Sequence, residues 1–410
     1  MAWFGARQAG SGRNWLRPGL WILGFLLIAV SIVRVQLAEL AVVNRMPGQA
    51  LLFDARHARG LAGLAVALQL RGQQQEAMTL ARAALKREPM NVAALRSLGF
   101  ALEQTGDSNS ANRILFLAGR LGWRDVALQL WLVKAYALQG KVGASLRRAD
   151  ALARTNHLPE VTYPLFLAAI TDRQLRAALV HEMADRPFWR SIFFYRLLQL
   201  PAEQMRYFDA LVTDLAKAGS PITPAERAIY LTRLVQVGQG AAAYNYWLRD
   251  QRSGSVASTL SWDGGFEHVQ PPGELAAPFE WQVSSEGVGV ASIVSSPRGG
   301  QQYSVSPGRD YSGTLISQTV ALLPGRYKLM ARVQGDARSA GLHWMIRCLP
   351  GKKELELDLG RDGPEFGSGT FNVPPEDCAA QSLAIDIASD ADSGSSGDVM
   401  IDDVSIRPIG

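Results

Sequence analysis

The chain has 410 residues, 48% of them hydrophobic, with a formal net charge of +5. Such a length accommodates two or three domains, and the apolar content excludes a disordered polymer. The charge is uneven, with 31 Lys and Arg against 17 Asp and Glu over residues 1–258 but 11 against 20 over residues 259–410. A basic half suits anionic lipid headgroups or an acidic protein, or is simply a solvated helix surface. No basic run is interleaved with aromatics, so nucleic acid is not an expected partner.

Residues 1–17 form a polar tail bearing Arg7, Arg13 and Arg17. Residues 18–35 read as a membrane span. Gly19 to Val33 carries no charge, Trp21 suits an interfacial anchor, and Arg34 can extend its head group to the far interface. Arginines ahead of the span, with no acids to offset them, place the N-terminus in the cytoplasm. The expected location is a single pass through a bacterial inner membrane, the lipid bilayer being one partner and the bulk of the chain lying in the periplasm. A cleaved signal peptide is the alternative; the stretch VRVQLAELAVVN lacks a small-x-small cleavage site, which favours an uncleaved anchor. Gln36 to Phe53 is expected to form a short amphipathic lead-in.

Over residues 36–157 the pattern becomes helical and repetitive. Gly72, Gly106 and Gly140 lie 34 residues apart, each between two amphipathic runs. Leu61, Leu64, Ala65 and Leu68 precede Gly72, and Ala77, Ala81 and Ala84 follow it, closed by Pro89. The same slots hold Leu95, Leu98, Gly99 and Leu102, then Ala111, Leu115 and Ala118. In the third unit they hold Gln129, Leu132, Val133 and Tyr136, then Ser145, Ala149 and Leu152. Spacings of three and four put each set on one helix face. The small residues permit close helix approach, and the glycines suit left-handed caps.

This pattern resembles the tetratricopeptide repeat family from Ala58 to His157, with units at about 58–91, 92–125 and 126–159. Leu61, Leu95 and Gln129 replace the family's large first-helix residue, and Trp123 and His157 replace its closing proline. The resemblance implies a solenoid whose groove takes a partner protein.

Helical signals continue through residues 158–250 as divergent hairpins extending the solenoid, with Thr223 as an N-cap. Phe188, Trp189, Phe193, Phe194 and Tyr195 form an aromatic cluster suited to core packing or to a partner groove. Residues 251–258 read as a linker.

From residue 259 the period becomes two. Strand-like runs recur at about Gly265–Val269, Phe279–Val283, Gly289–Val294, Gly313–Leu322 and Arg326–Val333. Further runs follow at Leu342–Leu349, Glu354–Leu359, Gly369–Val373, Ser382–Ile387 and Val399–Ile406. Short strands at this spacing argue for a β-sandwich over 259–410. Cys348 and Cys378 both fall in it, either as a disulfide in an oxidising compartment or as two buried thiols.

Trp262-Asp263-Gly264-Gly265-Phe266-Glu267, Pro278-Phe279-Glu280-Trp281, Leu323-Pro324-Gly325-Arg326-Tyr327 and Ile401-Asp402-Asp403-Val404 together resemble the jelly-roll carbohydrate-binding modules. The resemblance implies that the opening Gly-Gly-Phe-Glu strand lies beside the closing Asp-Asp-Val strand. It also implies a structural calcium ion joining Glu267 to Asp402 or Asp403, with exposed edge charges as the alternative. Tyr303, Tyr311 and Trp344 are candidate sugar-stacking residues, with Gln301, Gln302 and Arg347 as polar neighbours; each aromatic also suits the core.

The expected architecture is therefore multidomain: an N-terminal transmembrane helix, an α-helical repeat solenoid and a C-terminal all-β jelly-roll sandwich. No Gly-x-Ser-x-Gly elbow, P-loop or paired metal motif is present, and the histidines are scattered, so no enzyme is expected. The expected role is a scaffold in exopolysaccharide or O-antigen assembly. It would contact a membrane polymerase or ligase through the solenoid and a glycan through the sandwich. A pure protein-assembly scaffold and a glycan-active enzyme are the alternatives.

Overall fold

A computed structural model describes residues 16–250, 260–271, 274–286, 290–306, 312–337, 340–351, 353–357, 360–361, 366–388 and 398–409. Most of the tail expected over 1–17, the linker expected at 251–258, and Tyr311 lie outside the described residues. Packing divides the chain into two compact units, Met1–Thr162 and Tyr163–Gly410.

The first unit begins with α1 (Leu16–Val43) and α2 (Pro47–Phe53). From Leu20 to Val43 α1 is apolar, with a mean hydropathy of 2.2 over its best window, and that window is not buried in the protein. Length and composition suffice to cross a membrane. The helix does not stop near residue 35, and no separate lead-in begins at Gln36. Nothing from Arg34 to Val43 breaks a helix, and Ala38 and Ala41 pack against Ala50 of α2. The chain reverses only at Arg45, which takes φ +60°.

Three helical hairpins follow: α3 (Ala58–Leu70) with α4 (Gln74–Leu85), α5 (Val92–Gln104) with α6 (Ser108–Leu121), and α7 (Val126–Leu138) with α8 (Val142–Arg154). Gly72, Gly106 and Gly140 take φ +81°, +92° and +68°. Each hairpin turn closes with the same pair of backbone bonds. Gln73, Asp107 and Lys141 donate to the carbonyls of Leu68, Leu102 and Tyr136, and the glycines donate to Gln69, Glu103 and Ala137. This is a Schellman cap repeated at the sequence period. Pro89 lies beyond the end of α4, which stops at Leu85.

Small residues set the hairpin spacing. Ala65, Ala77, Ala84, Ala111 and Ala118 are buried, and a Cβ added to Gly99 would lie 2.5 Å from Leu115. In the third unit, Gln129 occupies its core slot with polar partners. It donates to the Gly122 carbonyl at 2.8 Å, while Arg148 donates to the Gly119 carbonyl at 2.9 Å and stacks on Trp123 at 3.8 Å. Buried polar groups are tolerated when paired in this way. Burial lowers the Arg148 pKa.

The second unit takes in the end of α9 (Pro159–Thr171), then α10 (Arg173–Met183), α11 (Trp189–Leu197), α12 (Met205–Lys217), α13 (Pro224–Gln236) and α14 (Gly240–Asp250). Phe166 stacks on Trp189 and meets Phe193 edge-on, so most of the aromatic cluster is core; Phe188 and Tyr195 face solvent. Thr223 and Glu226 form a capping box at α13, and Glu226 also pairs with buried Arg190 at 2.8 Å.

These helices pack with the sandwich and not only with one another. Gly240 comes so close to β10 (Cys378–Ile387) that a Cβ would lie 2.6 Å from Ala380. Residues 158–250 are expected from the sequence to extend the solenoid; by packing, those from Tyr163 onward form one unit with the β domain.

The β domain holds two antiparallel sheets. The remaining strands are β1 (Gln282–Val283), β2 (Ala291–Ser295), β3 (Gln301–Val305), β4 (Gly313–Val320), β5 (Gly325–Gln334), β6 (Leu342–Pro350), β7 (Glu354–Leu357), β8 (Gly360–Arg361), β9 (Phe366–Val373) and β11 (Val399–Pro408). One sheet runs β1-β4-β10-β6-β7 and the other β2-β3-β11-β5-β9-β8. Alternating residues of both fill a shared core that includes Trp281, Tyr303, Leu329, Trp344, Ile385 and Ile406. Cys348 and Cys378 form a disulfide between β6 and β10, with Cα atoms 4.6 Å apart.

Two expected strands differ. Gly265–Val269 is a series of turns, in which Phe266 takes φ +58°, and Asp263 just ahead of it takes φ +49°. Phe279–Val283 contracts to β1. The turn segment still lies beside β11, where the Val404 amide donates to Gly264 O at 2.9 Å.

Candidate functional site

The residues nominated for sugar stacking do not converge. Tyr303 and Trp344 are core residues, 0% and 2% exposed. Tyr303 stacks on Phe266, and Trp344 shares the inward face of β6 with Ile346 and Cys348, so neither ring offers a face to a ligand. Their inward phase follows from a sandwich burying one side of every strand. Tyr311 lies outside the described residues.

Arg347 lies on the outer face of the five-stranded sheet. Its guanidinium donates to Glu354 at 3.1 Å and also to Asp386. Asp386 in turn accepts from Thr314 at 2.7 Å. Burial opposes the charge on Arg347, but hydrogen bonds to Asp386 and Glu354 outweigh it and raise its pKa. A side chain held on two carboxylates has little donor capacity left for a ligand.

A more open arrangement lies on the outer face of the six-stranded sheet. Asp402 of β11 stands opposite Arg332 of β5, and Met400 stands opposite Gln334. With Gln302 of β3 and the Ser296–Arg298 turn, these residues line a small cleft of about 30 Å³. The register shifts between Asp402 and Ser405, where Asp403 takes φ +50°. Such a bulge re-aims side chains. Here Asp403 pairs with Arg332, while Asp402 accepts from the Asp403 amide at 2.8 Å.

Burial first, then the Asp403 and Glu267 carboxylates, push the Asp402 pKa up, against the opposing pull of the Asp403 amide and Arg332. The cleft presents guanidinium and amide donors, amide and carboxylate acceptors and a thioether. Such a set can hydrogen-bond a polyhydroxylated ligand but provides no aromatic platform.

Of the calcium candidates, Glu267 and Asp402 both come close to Gly265. A Cβ there would lie 3.6 Å from one carboxylate and 3.8 Å from the other. Glu267 accepts from the Gln301 amide at 2.9 Å, and Asp403 is engaged by Arg332. Among the described residues no group of three or more His, Cys, Asp or Glu has a metal-holding arrangement.

Sequence reasoning missed Arg298, Arg332, Gln334 and Met400. For Arg332 and Gln334 the signal was present in the polar positions flanking inward Ala331 and Val333, but which strand pairs with β11 is not written in a single sequence.

No protein-family model matches the chain, and no curated protein matches it. Solved structures give distant likenesses. The carbohydrate-binding module TmCBM61, in complex with β-1,4-galactotriose, shows 17% identity and a TM-score of 0.25, covering 37% of this chain and 99% of that one. Pseudomonas aeruginosa pilF shows 14% identity and a TM-score of 0.25, covering 55% of this chain and 91% of that one. Naa15/Naa10 bound to HypK-THB shows 14% identity and a TM-score of 0.26, covering 55% of this chain and 37% of that one. At these values none of them lends this chain its ligand.

Proposed function

We propose that this protein is a non-catalytic, membrane-anchored periplasmic scaffold. Its helical groove holds a partner protein, and its sandwich holds a glycan during exopolysaccharide or O-antigen polymerisation or export. The observation that carries the scaffold reading is the unbroken course of α1 from an exposed apolar stretch into the packed base of the helical repeats. A stack so tethered keeps whatever it grips beside the membrane, as an accessory to a polymerase or ligase requires.

The glycan contact is assigned to the Arg298, Arg332, Gln334 and Asp402 cleft, because its donors and acceptors converge on an open sheet face. A structural calcium ion remains a proposal attached to Glu267 and Asp402. Added calcium should then raise the melting temperature and EDTA lower it; a melting curve indifferent to both removes the ion.

The second reading, an assembly scaffold without glycan binding, is favoured by the burial of Tyr303 and Trp344. Deletion of the gene tests the process. Shorter or scarcer surface polysaccharide is expected, and an unchanged chain-length profile would contradict the role.

A further inference from the structure

The base of the helical repeats carries a second exposed apolar feature. Helix α2 packs against the C-terminal part of α1 and runs back along it, with Ala50 against Ala38 and Ala41. Its last carbonyl, that of Phe53, accepts from Arg34 Nε at 2.9 Å. Arg34 is the first charge after the uncharged run Gly19–Val33, so it marks where the span leaves the hydrocarbon.

At about 1.5 Å per residue, α1 climbs roughly 13 Å from Arg34 to Val43 before the chain reverses. The return of α2 therefore brings the chain back to the level of Arg34. There Leu52 is 81% exposed, next to Phe53 and close in sequence to exposed Arg56. Higher on α1, Glu39 is bonded by Arg59 at 3.2 Å and lies 3.4 Å from His57, which fixes the start of α3 against the same helix.

We propose that the Leu52–Arg56 turn is a second membrane contact. Leu52 enters the interfacial layer of the bilayer that α1 crosses, and Arg34 and Arg56 flank it at the level of the lipid phosphates. The occupant is the lipid surface because the turn is continuous with the span and returns to its exit point. An apolar tip beside basic side chains matches the layered chemistry of that interface, and Asp54, the one acid in the turn, is occupied in accepting the Arg56 amide at 2.9 Å. The solenoid is thereby seated on the membrane at two points instead of swinging on one.

The proposal rests on α1 spanning the bilayer, and the test separates the two. Both native cysteines are consumed in the disulfide, so one introduced cysteine is a unique label site. Full-length Leu52→Cys, Leu27→Cys and Leu138→Cys are each labelled with an environment-sensitive fluorophore in nanodiscs containing spin-labelled lipid. Leu138 is 79% exposed and lies at the turn of the third hairpin, so it controls for an exposed leucine away from the base. Quenching at positions 27 and 52, at least several-fold stronger than at 138, is expected. Quenching at 27 with position 52 as unquenched as 138 overturns the second contact alone. No quenching at 27 overturns the span and the contact together.

Discussion

Trp247 Nε1 donates to Glu280 Oε1 at 3.2 Å, joining the last helix to the entry of the sandwich. The indole is buried, meets Trp262 edge-on with centroids 5.1 Å apart, and packs on Phe279 at 5.6 Å. The Trp247→Ala variant therefore loses a large aromatic contact and leaves Glu280 without one donor. A cost of about 3–5 kcal/mol is expected. Calorimetry should show helices and sandwich of the second unit melting together at a lower temperature; a sandwich transition unmoved by the substitution would contradict the shared core.

The Cys348–Cys378 bridge closes a loop of sequence separation 30. Loop-closure entropy for that length is about 3–4 kcal/mol. Reduction, or replacing both cysteines with serine, should lower the denaturant midpoint of the second unit and leave that of the repeat unit unmoved.

Two glycines of the repeats should respond to alanine with opposite sign. Gly143 lies in α8 with nothing within 4 Å of an added Cβ, so Gly143→Ala should stabilise by about 0.5–1 kcal/mol. Gly99→Ala must displace Leu115 and should destabilise by about 1–3 kcal/mol. Equal effects in chemical denaturation would mean that the hairpins are not packed as described.

Asp402 gives a pH signature. Its carboxyl is raised, by burial first and then by Asp403 and Glu267, so the folded protein holds that proton more tightly than the unfolded chain. The associated stability is present at acid pH and is lost as pH rises through the folded pKa. In EDTA, Asp402→Asn should therefore melt higher than wild type at neutral pH. The difference should shrink as pH falls below the ordinary carboxylate range. A variant that melts lower at neutral pH would show the Asp403 amide and Arg332, which favour the carboxylate, to be the dominant influence.

The repeats were legible because Gly72, Gly106 and Gly140 meet a backbone demand that few other residues satisfy, φ above zero at a helix end. The replacement at Gln129 looked like decay of the repeat; its partners, Gly122 and Arg148, come from elsewhere in the chain and complete it only in three dimensions. The alternation that turns Trp344 inward was visible, but its direction depends on which side the second sheet covers. Gly264-Gly265 beside Asp402-Asp403 was also foreseeable, whereas the turns at Asp263 and Phe266 that replace a strand were not. The cleft depends on the pairing of β11 with β5, a long-range register that local pattern does not fix.

The most direct measurement is glycan binding by the full-length protein in detergent, with surface-polysaccharide fragments as ligand in equilibrium dialysis. Saturable binding is expected, weakened about tenfold or more, or about 1.4 kcal/mol, in an Arg298→Ala, Gln334→Ala double variant whose melting temperature is unchanged. Absence of binding, or equal binding by the double variant, would contradict a glycan-holding scaffold built on this cleft.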